Sequence, residues 1–149
     1  MKENDLTLER YKYILDQKRW LNQVSFRLTS MFQLIAIAIF VGQYKVILDH
    51  SNGMVSKDIA VSASMVLLLV SVMVSVFGIG MVVSGMFSWF QYKKEEVNIE
   101  ILSGDLQSEL PKFWNFVRWY ESYIIVMMFA FPFCYFFILK SYFLPLFNG

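Results

Sequence analysis

The sequence predicts an all-α integral membrane protein. It would have three transmembrane helices, an amphipathic N-terminal cytoplasmic helix, and a cytoplasmic helical segment between spans 2 and 3. Three observations lead there. Hydrophobic residues make up 57% of the 149 positions and charged residues only 17%, against roughly 45–50% and about 25% in soluble domains. A soluble fold this small leaves too much surface exposed to hide that much apolar material in one core. The uncharged residues fall into three runs, 28–44, 59–92 and 122–139, of 17, 34 and 18 positions, and a bilayer crossing takes about 20. Basic residues gather on one side of these runs. The chain reads as a single membrane domain over 1–149.

Taken in order, residues 1–27 form the amphipathic helix. At about 100° per residue, Lys12, Asp16, Arg19, Gln23 and Arg27 share one face, and Tyr13, Trp20, Leu21, Val24 and Leu28 lie on the other. No small-residue cleavage site follows the first apolar run, which argues against a cleaved signal peptide. Span 1 covers 28–48, with Lys45 able to snorkel outward. Its two amides, Gln33 and Gln43, are expected to bond to neighbouring helices. Asp49-His50-Ser51-Asn52-Gly53 reads as a turn, and Ser56 is placed to cap the next helix.

Span 2 covers 59–90. Its 34-residue run would extend about 51 Å as a helix, too long for one simple crossing and too short for two with a turn. Either it tilts or its Met86–Tyr92 end projects into the cytoplasm. The cytoplasmic segment 91–118 is predicted helical over Gln91–Leu102, broken at Ser103-Gly104-Asp105, and reopened by Pro111. Span 3 covers 119–140, with Lys140 snorkelling and Pro132 kinking or loosening the helix. No internal repeat or low-complexity stretch is present.

Charge sets the orientation. Lys2, Arg10, Lys12, Lys18, Arg19 and Arg27 precede span 1, and Lys93, Lys94, Lys112 and Arg118 separate spans 2 and 3. Only Lys45, Lys57 and Lys140 lie on the other side. Positive residues stay inside, so the N-terminus is cytoplasmic and the C-terminus outside. Trp89, Trp119 and Tyr120 then fall at the inner interface, which suits indole and phenol rings.

Two constellations are candidates for function. Arg10, Lys12, Lys18, Arg19, Arg27, Lys93, Lys94, Lys112 and Arg118 form a basic cytoplasmic set. It suits either attachment to anionic membrane lipid or, in an oligomer, a nucleotide or oligonucleotide ligand. Trp20, Trp114 and Trp119 would offer stacking surfaces in the second case. Nine acidic residues share segments 1–27 and 91–118, and Glu121 follows at the start of span 3. The second constellation is a small-residue stripe in span 2: Ser64, Ser71, Gly78 and Gly85 at seven-residue intervals, with Ser75 close to the same face. It suits close helix packing or a hydroxyl-lined pore. Gly80, Ser84 and Ser88 make a second small row. No acidic or basic ring lies mid-membrane.

Catalysis finds no support. His50 sits in an outer loop and Cys134 in a span. There is neither a nucleophile–base pair nor a glycine-rich phosphate loop. No catalytic residue, metal site or cofactor is expected, and the Lys93-Lys94-Glu95-Glu96 run reads as a solvated helix face.

The layout resembles small membrane effectors of bacterial anti-phage defence, the SLATT-like and Hailong-type channel effectors. Four features carry the likeness: Arg10-Tyr11-Lys12-Tyr13-Ile14-Leu15 through Arg19-Trp20-Leu21-Asn22 before span 1, a long span 2, Ser88-Trp89-Phe90 at its inner end, and Arg118-Trp119-Tyr120-Glu121 entering span 3. A third span departs from the two-span SLATT plan. The resemblance implies a gated pore acting in abortive infection in the bacterial inner membrane, with a periplasmic C-terminus. It also implies a DNA oligomer, made by a nucleotidyltransferase partner, that holds the channel closed. The expected assembly is a homo-oligomer, a tetramer being favoured. The alternative is a non-conducting membrane interaction protein, an immunity or accessory subunit.

Overall fold

The computed structural model describes residues 2–102 and 120–146, with side chains from Thr7 onward. The described residues are helical and contain no strand. In chain order they form α1 (Lys2–Ser51), α2 (Lys57–Leu102), α3 (Tyr120–Ile138), a π-helical stretch (Leu139–Phe143) and the short α4 (Leu144–Leu146). Three stretches are long and apolar enough to cross a membrane: Thr7–Ser51, Lys57–Leu102 and Tyr120–Leu146.

The predicted amphipathic helix and span 1 are one uninterrupted helix. Nothing in the sequence breaks it, since no proline lies between Lys2 and Ser51 and Gly42 is the only glycine. The first turn is shorter than predicted, because helix continues through Asp49, His50 and Ser51. Reversal falls on Asn52 and Gly53. Gly53 takes φ +72°, a conformation that costs a residue without a Cβ least. Backbone N–H groups of Asn52, Gly53 and Met54 donate to Leu48, His50 and Asp49 carbonyls. Ser56 immediately precedes α2, and its carbonyl accepts from the Ala60 N–H. α2 runs without interruption from the apolar span to Leu102, as the helical reading of Gln91–Leu102 requires. Ser103–Asp105, Pro111, Trp114 and Trp119 lie outside the described residues.

The chain divides into two compact units. The first comprises 1–28 and 81–123, and the second 29–80 and 124–149. In the first unit, the seam of α1 is Tyr11, Ile14, Lys18, Leu21, Ser25 and Leu28, each buried or half-buried. Their alternating spacings of three and four are those of a coiled-coil stripe. Val82, Glu96 and Val97 are the buried residues of α2 here. The predicted apolar face is therefore split. Leu21, Val24 and Leu28 are half-buried, whereas Tyr13 and Trp20 are exposed. A long paired helix buries the stripe that meets its neighbour, which need not be its most apolar face. Phe26 and Tyr120 stack at 5.3 Å.

The second unit packs α1, α2 and α3 together. Phe32, Ile39, Ala60, Met128, Tyr135 and Leu139 are buried. Phe131 meets Phe32 and Phe40 edge to face at 5.5 and 6.0 Å, the geometry aromatic quadrupoles favour. Pro132 sits inside α3, where it removes one backbone donor.

Candidate functional site

At the charged end, α1 and α2 carry interlocking ion pairs. Lys18 and Lys93 both donate to Glu96 Oε2, at 2.6 and 3.0 Å. The Lys18 ammonium also lies 5.0 Å from the Trp89 ring centroid, within cation–π range. Arg10 pairs with Glu95 at 3.3 Å in an exposed position, and the Tyr11 hydroxyl donates to Glu100. Glu96 lies beyond the apolar run. Burial by itself would raise its carboxyl, but hydrogen bonds from Lys18 and Lys93, together with their charges, hold it below the ordinary glutamate range. One carboxylate thus serves two ammonium groups, and Lys93-Lys94-Glu95-Glu96 is partly an internal seam of α1 and α2. The i,i+3 placement of Lys93 and Glu96 suits a helix, but the pairing of Glu96 with Lys18, 78 residues away, has no local signal.

These pairs divide the basic set. Arg10, Lys18 and Lys93 are engaged. Arg19 reaches Asp16 only at 3.9 Å, with both side chains largely exposed. Lys12, Arg27 and Lys94 are exposed and form no ion pair among the described residues. Lys112 and Arg118 lie outside the described residues.

The span-2 stripe faces the protein's own interior over most of its length. Ser64 and Ser71 are fully buried and Ser75 is 2% exposed. Gly78 is buried against α3. A Cβ added there would stand 2.9 Å from Met128 Sδ, so this glycine permits the close approach. Gly85 is half-buried, and an added Cβ would meet nothing within 4 Å among the described residues. Gly80 and Ser84 of the second small row are exposed.

A buried polar network lies among these residues. Gln43 Nε2 donates to Ser64 Oγ at 3.0 Å, Ser64 Oγ donates to the Ala60 carbonyl at 2.9 Å, and the Tyr135 hydroxyl donates to Gln43 Oε1 at 2.8 Å. One amide therefore ties all three helices, as expected of Gln43. Sequence reasoning placed Gln43 beside a neighbouring helix but missed Tyr135, whose ring resembles its many apolar neighbours in α3. Gln33 behaves otherwise: it is exposed and has no hydrogen-bond partner among the described residues. Apolar packing through Phe32 turns the adjacent position inward and leaves Gln33 facing out.

Among the described residues, no three histidine, cysteine or carboxylate side chains cluster to hold a metal. No protein-family model, curated protein or solved structure matches the chain.

Proposed function

We propose that this chain is a membrane effector that assembles with copies of itself through the exposed face of α1 and forms a gated pore in the bacterial cell membrane. The carrying observation is Gln33, an exposed amide within an uncharged run. An amide left against hydrocarbon lacks the hydrogen bonds that water would supply. Contact with a second copy or with a water-filled path restores them. Tyr44, 11 positions further on and also exposed, projects within about 20° of Gln33 around the helix. This face, rather than the inward-turned serines, is the proposed lining.

The proposed regulator is an anionic ligand, a nucleotide or the DNA oligomer of the Hailong-type scheme, made by a partner nucleotidyltransferase. Lys12, Arg19, Arg27 and Lys94 are its proposed contacts, because they are the described members of the basic cytoplasmic set without a close internal ion pair. The proposed arrangement is a tetramer with a cytoplasmic N-terminus and a periplasmic C-terminus, acting in anti-phage defence.

A second reading, the non-conducting interaction subunit, is favoured by the inward burial of Ser64, Ser71 and Ser75. Planar-bilayer conductance of the purified protein, with and without DNA oligomers, separates the two. The pore reading expects conductance that the oligomer changes and that Gln33→Leu reduces. Disulfide cross-linking of a Gln33→Cys, Cys134→Ser variant, with one thiol per chain, should trap covalent dimers. Cross-linked, inserted protein that stays silent in every condition establishes the second reading instead.

A further inference from the structure

Two ammonium groups meet one carboxylate oxygen where α1 and α2 pair in the first unit. Lys18 and Lys93 both donate to Glu96 Oε2, at 2.6 and 3.0 Å. The group is set into the seam: the side chains of Lys18, Lys93 and Glu96 are 17%, 30% and 7% exposed. One negative charge against two positive leaves the triad cationic. Neighbouring acids do not redress this, because Glu95 is paired with Arg10 and Glu100 accepts from the Tyr11 hydroxyl. Lys94, next in the chain, is exposed and adds to the positive field.

Each ammonium carries three N–H donors, and the shared oxygen takes one from each. Like charges held this close repel, so a partner with more charge and more oxygens suits the pair better than a carboxylate does. A phosphoryl group brings a charge of about −1.5 to −2 and three acceptor oxygens. It can give Lys18 and Lys93 an oxygen each, where Glu96 gives both the same one. Trp89 stands beside them, its ring centroid 5.0 Å from the Lys18 ammonium.

We propose that Lys18 and Lys93 form the phosphoryl seat of a soluble regulator, and that Glu96 fills it as an internal competitor until the phosphoryl group takes its place. This assignment rests on the anionic regulator proposed above and moves its phosphate contact from the exposed basic groups to the enclosed pair. Glu96 and Lys93 are three positions apart on α2, whereas Lys18 comes from α1. Exchange at Glu96 therefore replaces a direct α1–α2 ion pair with a bridge through the ligand, which couples binding to how the two helices meet. Both soluble esters and lipid headgroups offer phosphate. Lys18 lies nine positions before Arg27, the last charge ahead of span 1, which is about 13 Å along a helix. The headgroup layer is only about 5–8 Å deep on each side, so α1 favours the soluble source.

The test is calorimetric titration of the full chain in detergent with inorganic pyrophosphate. Glu96→Gln should tighten binding about tenfold, the lower end of what a hydrogen bond to a charged group is worth, because the competitor is gone. Lys18→Met and Lys93→Met should each weaken it about tenfold. Should Glu96→Gln fail to fold, the parent chain supplies the reading: pyrophosphate should protect Lys18 and Lys93 from acetylation, followed by mass spectrometry, more than Lys12 and Lys94. A folded Glu96→Gln that binds no more tightly than the parent overturns the competitor, and protection confined to Lys12 and Lys94 overturns the seat. Binding that ignores Lys18→Met and Lys93→Met, yet is lost when Lys12, Arg19, Arg27 and Lys94 are neutralised together, rejects the seat and keeps the anionic regulator. Absence of binding in every variant removes both. Protection by phosphatidic acid in nanodiscs, with none by pyrophosphate, overturns the soluble source.

Discussion

Glu96 shows how much one side chain can hold in this protein. Replacing it with glutamine leaves two ammonium groups, Lys18 and Lys93, facing each other without a carboxylate. The expected loss is about 2 kcal/mol, in the range for hydrogen bonds to charged groups, measured by chemical denaturation in detergent. Lys18→Met combined with Glu96→Gln should lose less than the sum of the two single changes, because both remove the same contact. The pH dependence has a definite sign. Because the folded carboxyl is held below its ordinary range, the stabilisation is present at neutral pH. It disappears as pH falls through that depressed range. Glu96→Gln should abolish this acid dependence. Such pairings explain part of what the sequence left hidden: local order shows a charge run and its helical spacing, but not which distant ammonium turns toward it. Gln33 and Gln43 make the same point, since two amides ten positions apart in one uncharged run end on opposite terms, one in a three-helix network and one exposed.

At the level of helices, the glycines of α2 are predicted to separate. Gly78→Ala would bring a Cβ to 2.9 Å from Met128 Sδ. Met128 is fully buried, so its room to move is small and the melting temperature should fall. Gly78→Leu should fall further, and Met128→Ala should partly rescue Gly78→Ala by removing the sulfur. Gly85→Ala should melt like the parent or slightly higher, since an added Cβ meets nothing among the described residues and alanine favours helix over glycine by about 1 kcal/mol. Equal destabilisation at both sites would show that the stripe acts as a single unit. The three long helices were legible because uncharged run length and helical periodicity are local properties. The join of the amphipathic helix to span 1 was less so. A change from polar to apolar composition reads as a boundary, yet the backbone needs no break there without a proline or glycine pair to supply one.

For the whole molecule, orientation is the prediction to check first. In a Cys134→Ser background, Asn52→Cys and Ser141→Cys should react with a membrane-impermeant maleimide added outside intact cells. Asn22→Cys should react only after the membrane is opened. The motive is the placement of ten of thirteen basic residues on one side. Outside labelling at Asn22 would reverse the assignment. The proposed assembly belongs to the same scale: Gln33, Gly80 and Ser84 are exposed on α1 and α2, and the proposal expects further copies to meet there.

The Gln43 network carries a consequence for biosynthesis. Its partners are separated from Gln43 by 21 and 92 positions. At translation rates of about 5–20 residues per second, the second would follow the first by roughly 4–14 s. During that interval the nascent α1–α2 hairpin can satisfy the amide nitrogen through Ser64, while the amide oxygen still awaits Tyr135. If the helices insert in chain order, a two-helix stage with one open acceptor is expected, which the third helix closes.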